Sequence, residues 1–261
     1  MKMSLYLFKV RGIPIGFHLT FLLILPIFGW IFASFSIILF GMHIGFGNLE
    51  TSLSVKVMLG MFTAFMFFLT VLAHELGHAM VALEYGMKIR SIILMMFGGV
   101  ASIEINGPQK PIVEATMSIA GPMVSLSLGL ILYLFSILLG GAAGLGLESL
   151  ACIVGTLGFY NIVLAMFNML PAFPMDGGRV LRALLAVFTT FKRATSIAAD
   201  IGKGFALAMG VFGFFTGSFW LILLAVFLFL AATGEEKATN EMTTTEDNRN
   251  KSPSGNLPSQ G

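Results

Sequence analysis

The sequence predicts an all-α polytopic membrane protein with about six transmembrane helices, short interfacial β-strands and a re-entrant Gly-rich loop. Its 261 residues are 57% hydrophobic and only 11% charged, whereas charged residues make up about a quarter of an ordinary soluble domain. The mean hydropathy is +0.92. Several uncharged intervals are close to the length of about 20 residues that crosses a bilayer. These observations place most of the chain in lipid.

The uncharged intervals locate the predicted spans in chain order. Four predicted spans are clear: Gly12–Phe32, Val57–Leu83, Thr116–Leu139 and Ser149–Leu170. A fifth predicted span begins near Thr195. The last apolar stretch, Gly204–Gly234, has 31 uncharged residues, which is short for two full spans. Thr216-Gly217-Ser218 predicts a tight turn inside it. A helical hairpin fits if its first helix starts before Asp200 and Lys203, so we expect six spans rather than five.

Three shorter segments are expected to be something other than spans. The amino-terminal region Leu5–Phe21, interrupted by Pro14, is expected to include a short interfacial strand. The apolar segment Phe35–Gly47 has only thirteen residues, so we interpret it as an interfacial segment. Lys88–Ile105 contains β-favouring residues broken by Gly98-Gly99, which indicates either a hairpin or re-entrant loop lining a cavity, or only a turn.

Charge sets the expected orientation. With six spans, thirteen Lys and Arg residues lie on the side of the amino terminus and one, Lys56, lies on the other, while Lys203 is ambiguous. The positive-inside rule therefore places the amino terminus in the cytoplasm. The net charge of +2 and the dispersed cations give no basic patch, so we expect no nucleic-acid partner.

The end of the chain differs in composition from the rest. Residues 235–261 are rich in Thr, Asn, Ser and Glu, and we expect them to form a disordered polar cytoplasmic tail. Residues 1–234 would then form the membrane domain. Cys152, the only cysteine, can form no internal disulfide and is expected to be a packing residue.

The most informative motif is His74-Glu75-Leu76-Gly77-His78, which ends a run of eighteen uncharged residues from Val57 to His74. Helical residues four apart lie on the same face, so both imidazoles can bind one Zn²⁺ while Glu75 stands beside the bound water. Ionisable groups are costly at bilayer depth, which argues against a purely structural polar cluster. The motif indicates metal-assisted hydrolysis inside a membrane, on the cytoplasmic side.

A catalytic zinc commonly has three protein ligands, so one more donor is needed. Neither His18 nor His43 is well placed in the sequence, and we expect His18 to make a supporting or interhelical hydrogen bond. Asp176 is the better candidate, because Pro171 and Pro174 end the fourth helix and would return its carboxylate to the depth of the histidines. The alternative is that Asp176 caps the next helix, beginning near residue 178.

Two motifs together carry a family resemblance. His74-Glu75-Leu76-Gly77-His78 and Asn168-Met169-Leu170-Pro171-Ala172-Phe173-Pro174-Met175-Asp176-Gly177-Gly178, in this order and in separate spans, resemble the site-2 protease family of intramembrane zinc metalloproteases, in its archaeal and bacterial members. The resemblance covers residues 1–234. Phe97-Gly98-Gly99-Val100 and Ala120-Gly121-Pro122 are similar to two further motifs of the family. No CBS or PDZ domain is expected in this chain.

The resemblance implies a function and a set of roles. One Zn²⁺ per chain would be held by His74, His78 and Asp176, with Glu75 as general base and Asn168 binding the substrate backbone or the oxyanion. The substrates would be transmembrane segments of single-span proteins in the lipid bilayer, such as anchored transcription regulators or anti-sigma factors, cleaved in regulated intramembrane proteolysis. Two alternatives are a non-catalytic zinc-binding membrane protein and a transporter, although no internal repeat is evident.

Overall fold

The computed structural model describes residues 4–95, 98–104, 109–141 and 147–251. Its strands and helices are, in chain order, β1 (Ser4–Val10), β2 (Ile13–His18), α1 (Phe21–Ser34), β3 (Ser36–Leu39), β4 (Met42–Gly45), α2 (Leu53–Glu84), β5 (Lys88–Met95), β6 (Gly98–Glu104), α3 (Pro111–Gly141), α4 (Glu148–Asn168), α5 (Asp176–Ala186), α6 (Phe191–Phe215) and α7 (Phe219–Lys251). The predicted combination of long apolar helices with short strands is confirmed.

The chain divides into two compact units. The first unit contains Met1–Ile105 and Thr116–Met169, and the second contains Asn106–Ala115 and Leu170–Gly261. The first unit therefore carries the sheets, α1, α2, α4 and most of α3. The second carries the first residues of α3 together with α5, α6 and α7.

The four-stranded sheet of the first unit has the order β1-β2-β5-β6. Its β5 and β6 are antiparallel, with Met95 paired to Gly98, so the predicted hairpin in Lys88–Ile105 is confirmed. Gly98 has a φ of +123°, a backbone conformation that favours glycine. Gly98 and Gly99 belong to β6 itself, while Phe97 lies outside the described residues.

The bounds of the first predicted span are wrong. Within Gly12–Phe32, residues Ile13–His18 form β2, and the helix that follows, α1, has 14 residues. Strand β2 is held on both sides, antiparallel to β1 and parallel to β5 with Ile15 opposite Ile92. The strand expected within Leu5–Phe21 is therefore confirmed, and it replaces the first part of the predicted span. A helix of this length rises about 21 Å, less than the roughly 30 Å of hydrocarbon.

Five helices in the described part of the chain are long and apolar enough to cross a membrane. They are Leu53–Glu84, Pro111–Gly140, Glu148–Asn168, Phe191–Phe215 and Phe219–Thr244. The expected six spans are reached only by counting the shorter α1. The chain is therefore a multi-pass membrane protein, with a span count that depends on α1.

Two other sequence predictions are confirmed. The turn at Thr216–Ser218 separates α6 from α7, with Gly217 at a φ of +65°, and α6 starts at Phe191, well before Asp200. Within Phe35–Gly47, β3 and β4 form an antiparallel pair, so the segment is not a spanning helix, and its interfacial location stays a prediction.

The structure differs from the expected disordered tail. Helix α7 continues to Lys251, so residues 235–251 are helical, while 252–261 lie outside the described residues. Glu235 and Glu236 anchor the start of this polar half through ion pairs to Arg182 and Lys203 in the same unit. Composition alone indicated disorder because these pairings join residues more than thirty positions apart.

Candidate metal centre

Helix α2 carries His74 and His78 one turn apart, as the motif predicts. Both side chains are buried, and their ring centroids lie 4.9 Å apart. The two Nε2 atoms face each other at 3.2 Å. The spacing in sequence thus brings one nitrogen of each ring to a common point.

The other ring nitrogens are held by α3. The Nδ1 of His78 lies 2.7 Å from the main-chain oxygen of Met117, and the Nδ1 of His74 lies 2.9 Å from the Oγ of Ser125. A carbonyl oxygen only accepts, so the Nδ1 of His78 donates, and in the neutral ring this tautomer leaves a lone pair on Nε2. Metal-binding histidines use this arrangement, in which the second nitrogen donates to a neighbouring oxygen.

Gly121 lies between these two contacts on the same face of α3. Residues 117, 121 and 125 are successive positions of an i, i+4 series, which matches the four-residue spacing of the histidines. A Cβ at Gly121 would meet the Nε2 of His78 directly and would lie 2.7 Å from the Nε2 of His74. The space in front of both nitrogens therefore exists because residue 121 has no side chain.

Close helix packing keeps the two histidines at α3. A Cβ at Gly77, within the motif, would lie 3.0 Å from the main-chain oxygen of Ala120, so the two backbones can approach only at a glycine. On the other side, the Nδ2 of Asn161 donates to the Oγ1 of Thr70 at 2.9 Å, which joins α4 to α2 one turn before His74. The motif is thus held between α3 and α4.

The histidine pair fits a zinc ion. Two nitrogens bound to one tetrahedral Zn²⁺ at about 2.05 Å lie roughly 3.3 Å apart. The observed separation of 3.2 Å agrees with this value. The glycine at position 121 keeps a Cβ from clashing with both nitrogens, so the residues present suit the metal that the motif predicts.

Glu75 lies beside the edge of the sheet. A Cβ at Gly99 of β6 would lie 2.9 Å from the Cδ of Glu75 and 3.1 Å from its Oε1. Among the described residues, β6 pairs only with β5 and forms one edge of the sheet. The carboxylate next to the histidines therefore also borders a strand that can accept another extended segment.

Asn168 is the last residue of α4, at the point where the apolar span ends. Its Nδ2 donates to the main-chain oxygen of Leu164 at 3.0 Å. An Asn amide has two N–H groups, and this bond uses one of them. The role predicted for Asn168 in binding a substrate oxygen stays a prediction.

Asp176 belongs to the second unit, where it is the first residue of α5. The N-cap is Met175, so the alternative interpretation of Asp176 as the capping residue is wrong. A carboxylate in the first turn is still favoured by the helix dipole. Its role as the third zinc ligand stays a prediction.

Among the described residues, the hydrogen bonds of His18 are local rather than interhelical. Its Nδ1 lies 2.9 Å from the Oγ1 of Thr20 and accepts the Thr20 main-chain N–H at 3.3 Å, so its contacts are local to the junction of β2 and α1. Sequence reasoning missed Ser125 and the main-chain oxygen of Met117. The sequence contained one indication of Ser125: it lies four residues after Gly121, which belongs to the family-like motif Ala120-Gly121-Pro122.

The chain matches the family model described as peptidase family M50 over residues 62–149 and 145–209. It is 36% identical over 247 residues to a zinc metalloprotease of Methanocaldococcus jannaschii, covering 93% of this chain and 63% of that protein. It is 28% identical over 165 residues to the stage IV sporulation protein FB of Bacillus subtilis, covering 63% of this chain and 54% of that protein. The chain thus spans less than two thirds of the length of these relatives.

A solved structure supports the same assignment. The site-2 protease from Methanocaldococcus jannaschii is similar with a TM-score of 0.57 and 35% sequence identity, covering 89% of this chain and 95% of that one. This likeness confirms the predicted fold and the predicted family. The family implies Zn²⁺ as the cofactor. The chain belongs to peptidase family M50 and has the fold of a site-2 protease.

Proposed function

We propose that this chain is an intramembrane zinc endopeptidase that cleaves transmembrane segments of single-span membrane proteins. The observation that carries the proposal is the convergence of the Nε2 atoms of His74 and His78 at 3.2 Å. Their other nitrogens are engaged with α3, and Gly121 leaves the space before them open. Family membership supports the same activity.

The proposed roles follow from the chemistry of each side chain. His74, His78 and Asp176 would hold one zinc ion, which when bound supplies Lewis acidity for attack of water on a peptide carbonyl. Glu75 accepts a proton from the attacking water and returns it to the leaving amine. The Asn168 amide donates a hydrogen bond to the substrate backbone or to the developing oxyanion.

The edge strand β6 explains how a helical substrate would present its backbone. A transmembrane helix keeps its carbonyls in internal hydrogen bonds, so it must unwind locally before a peptide bond is accessible. An unwound segment can pair with β6 as an added strand, which satisfies its freed backbone groups. Because Gly99 lies against Glu75, this pairing would bring the substrate backbone next to the proposed base.

The substrate class follows from where the site lies. The histidines end an apolar stretch within α2, a helix long enough to cross a membrane, so the site is suited to bonds near or within the bilayer. Anchored transcription regulators and anti-sigma factors have single spans of this kind and are the substrates implied by the resemblance. Cleavage of such proteins would constitute regulated intramembrane proteolysis.

Removal of the metal should abolish cleavage. The full chain, purified in detergent, would be incubated with a single-span test protein carrying a Gly-Pro pair in its transmembrane helix. We expect two fragments, none after treatment with a zinc chelator, and recovery when Zn²⁺ is restored. A matched substrate with Leu-Leu in place of Gly-Pro should resist cleavage, because its helix does not unwind readily.

The outcomes separate the competing functions. Cleavage that persists in the fully chelated protein would exclude zinc chemistry. Tight zinc binding without cleavage of any single-span protein would favour the non-catalytic zinc-binding alternative instead.

We also propose that the amino terminus and the active site are on the cytoplasmic side, supported by the distribution of Lys and Arg. Asn48 and Glu84 are exposed residues close to opposite ends of α2. In a Cys152→Ser background, Asn48→Cys should react with an impermeant thiol reagent applied to intact cells, and Glu84→Cys only after lysis. The reverse pattern would invert the proposed topology.

A further inference from the structure

Arg182, on α5, is a buried cation in the second unit that the proposed chemistry does not use. Its Nε donates to the Oε1 of Glu114 at 2.7 Å, and its Nη1 donates to the Oε1 of Glu235 at 2.9 Å. Glu114 lies in the first turn of α3, and Glu235 begins the polar half of α7. One guanidinium therefore joins three helices of this unit.

The same guanidinium also lies over two aromatic rings. Its Cζ lies 5.1 Å from the ring centroid of Phe173 and 4.8 Å from that of Phe191. Phe191 is the first residue of α6, and Phe173 belongs to the loop that leads into Asp176. The guanidinium thus combines two cation–π contacts with hydrogen bonds from separate nitrogens, a combination that a lysine ammonium cannot reproduce.

The loop before Asp176 rests on the same face of α5 that presents Arg182. A Cβ at Gly178, four residues before Arg182, would lie 2.7 Å from the Phe173 main-chain nitrogen. A Cβ at Gly202 of α6 would lie 3.1 Å from that same atom. The backbone of the loop is therefore seated on two glycines, while Arg182 covers the ring of Phe173.

Burying the charge of Arg182 costs free energy, which its hydrogen-bonded partners must offset. Arg182 and Glu114 are 7% and 3% exposed, and among the described groups the Oε2 of Glu114 has no hydrogen-bond partner. A buried ion pair often contributes little net stability compared with apolar residues of the same volume. The role of this ion pair would be to fix the position of Phe173, which lies three residues before Asp176.

We propose that Arg182 is a positioning residue that sets the location of the Asp176 carboxylate by holding Phe173, and that Glu235 at the start of the polar half of α7 supports it. This inference rests on the proposed function, in which Asp176 binds the metal. A ligand must be held to a fraction of an ångström to bind well. Arg182 therefore links the start of the polar half of α7 to the segment that leads into Asp176.

The chain provides a matched control. Glu235 and Glu236 are adjacent on α7, but Glu236 bonds to Lys203 at 2.6 Å and to Ser196 at 2.8 Å, both on α6. Glu235→Gln removes the carboxylate charge that pairs with Arg182, while Glu236→Gln removes the charge that pairs with Lys203 on α6, a helix that does not carry Asp176. Both substitutions remove one carboxylate from the same helical turn.

The test uses the full chain loaded with Co²⁺, whose visible absorption reports the geometry of its ligands. Arg182→Lys should change the spectrum at saturating Co²⁺ and raise the zinc dissociation constant by about tenfold, as loss of a supporting residue often does. Arg182→Met combined with Glu114→Gln, which leaves no unpaired charge at either position, should do the same. Glu235→Gln should give a smaller change in the same direction, and Glu236→Gln should behave as the wild type.

The inference would be overturned if the Arg182 variants had wild-type spectra and wild-type zinc affinities and differed only in a lower melting temperature. Arg182 would then have only a structural role. Asp176→Asn, measured in parallel, separates this failure from that of the proposed function. An altered spectrum in Asp176→Asn beside unaltered Arg182 variants overturns the positioning role alone. An unaltered spectrum in Asp176→Asn overturns the ligand assignment and, with it, the positioning role.

Discussion

Replacing Glu75 with Gln is expected to abolish peptide cleavage while leaving zinc bound. The amide keeps the size of the side chain, so its packing against Gly99 is preserved. It cannot accept the proton of the attacking water, and general base catalysis contributes about 10²- to 10⁴-fold to rates. Turnover of a membrane-anchored substrate should therefore fall at least a hundredfold, with metal content per chain unchanged.

Glu84→Gln is the control for this substitution. Glu84 ends the same helix and is exposed, so the identical chemical change there should leave both zinc content and turnover at wild-type levels. Cleavage by the Glu75→Gln variant at the wild-type rate would remove Glu75 from the mechanism. The non-catalytic zinc-binding alternative would then have to be reconsidered.

The features that the sequence predicted well depend on local patterns. The four-residue spacing of His74 and His78 sufficed to place both rings on one face of α2. The turn at Thr216–Ser218 and the hairpin around Gly98 follow from backbone preferences that act within a few residues. Each of these predictions needed no knowledge of a distant partner.

The features that were missed depend on contacts between distant residues. The strand that precedes α1 pairs with the distant β5, and the helix over residues 235–251 begins with ion pairs to α5 and α6. The partner of the His78 Nδ1 is a main-chain oxygen, and every residue has one, so residue type gives no clue to it. Ser125 resembles any other polar residue within an apolar helix until α3 is seen packed against α2.

Replacing Asp176 with Asn is expected to weaken zinc retention and activity together. A neutral amide oxygen is a poorer ligand for Zn²⁺ than a carboxylate, because it lacks the charge that offsets that of the metal. Loss of a residue that only supports a ligand raises metal dissociation constants about 10- to 100-fold. Loss of a ligand should exceed this, and the measurement is zinc stoichiometry after dialysis against a mild chelator, alongside cleavage of a membrane-anchored substrate.

Loss of an N-cap would not account for such a result, because Asp176 is not the N-cap of α5. The N-cap is Met175, and the Asp176 carboxylate lies in the first turn of α5, where it interacts favourably with the helix dipole. That interaction is worth about 0.3 to 1 kcal/mol, enough to lower the melting temperature by a few degrees but not to release a metal.

Asp200→Asn, on an exposed position of α6, controls for a general effect of removing an acidic residue. Full zinc occupancy with normal turnover in the Asp176→Asn variant would rule out this ligand. Since His18 is engaged locally with Thr20, His43 would then be the first histidine to examine.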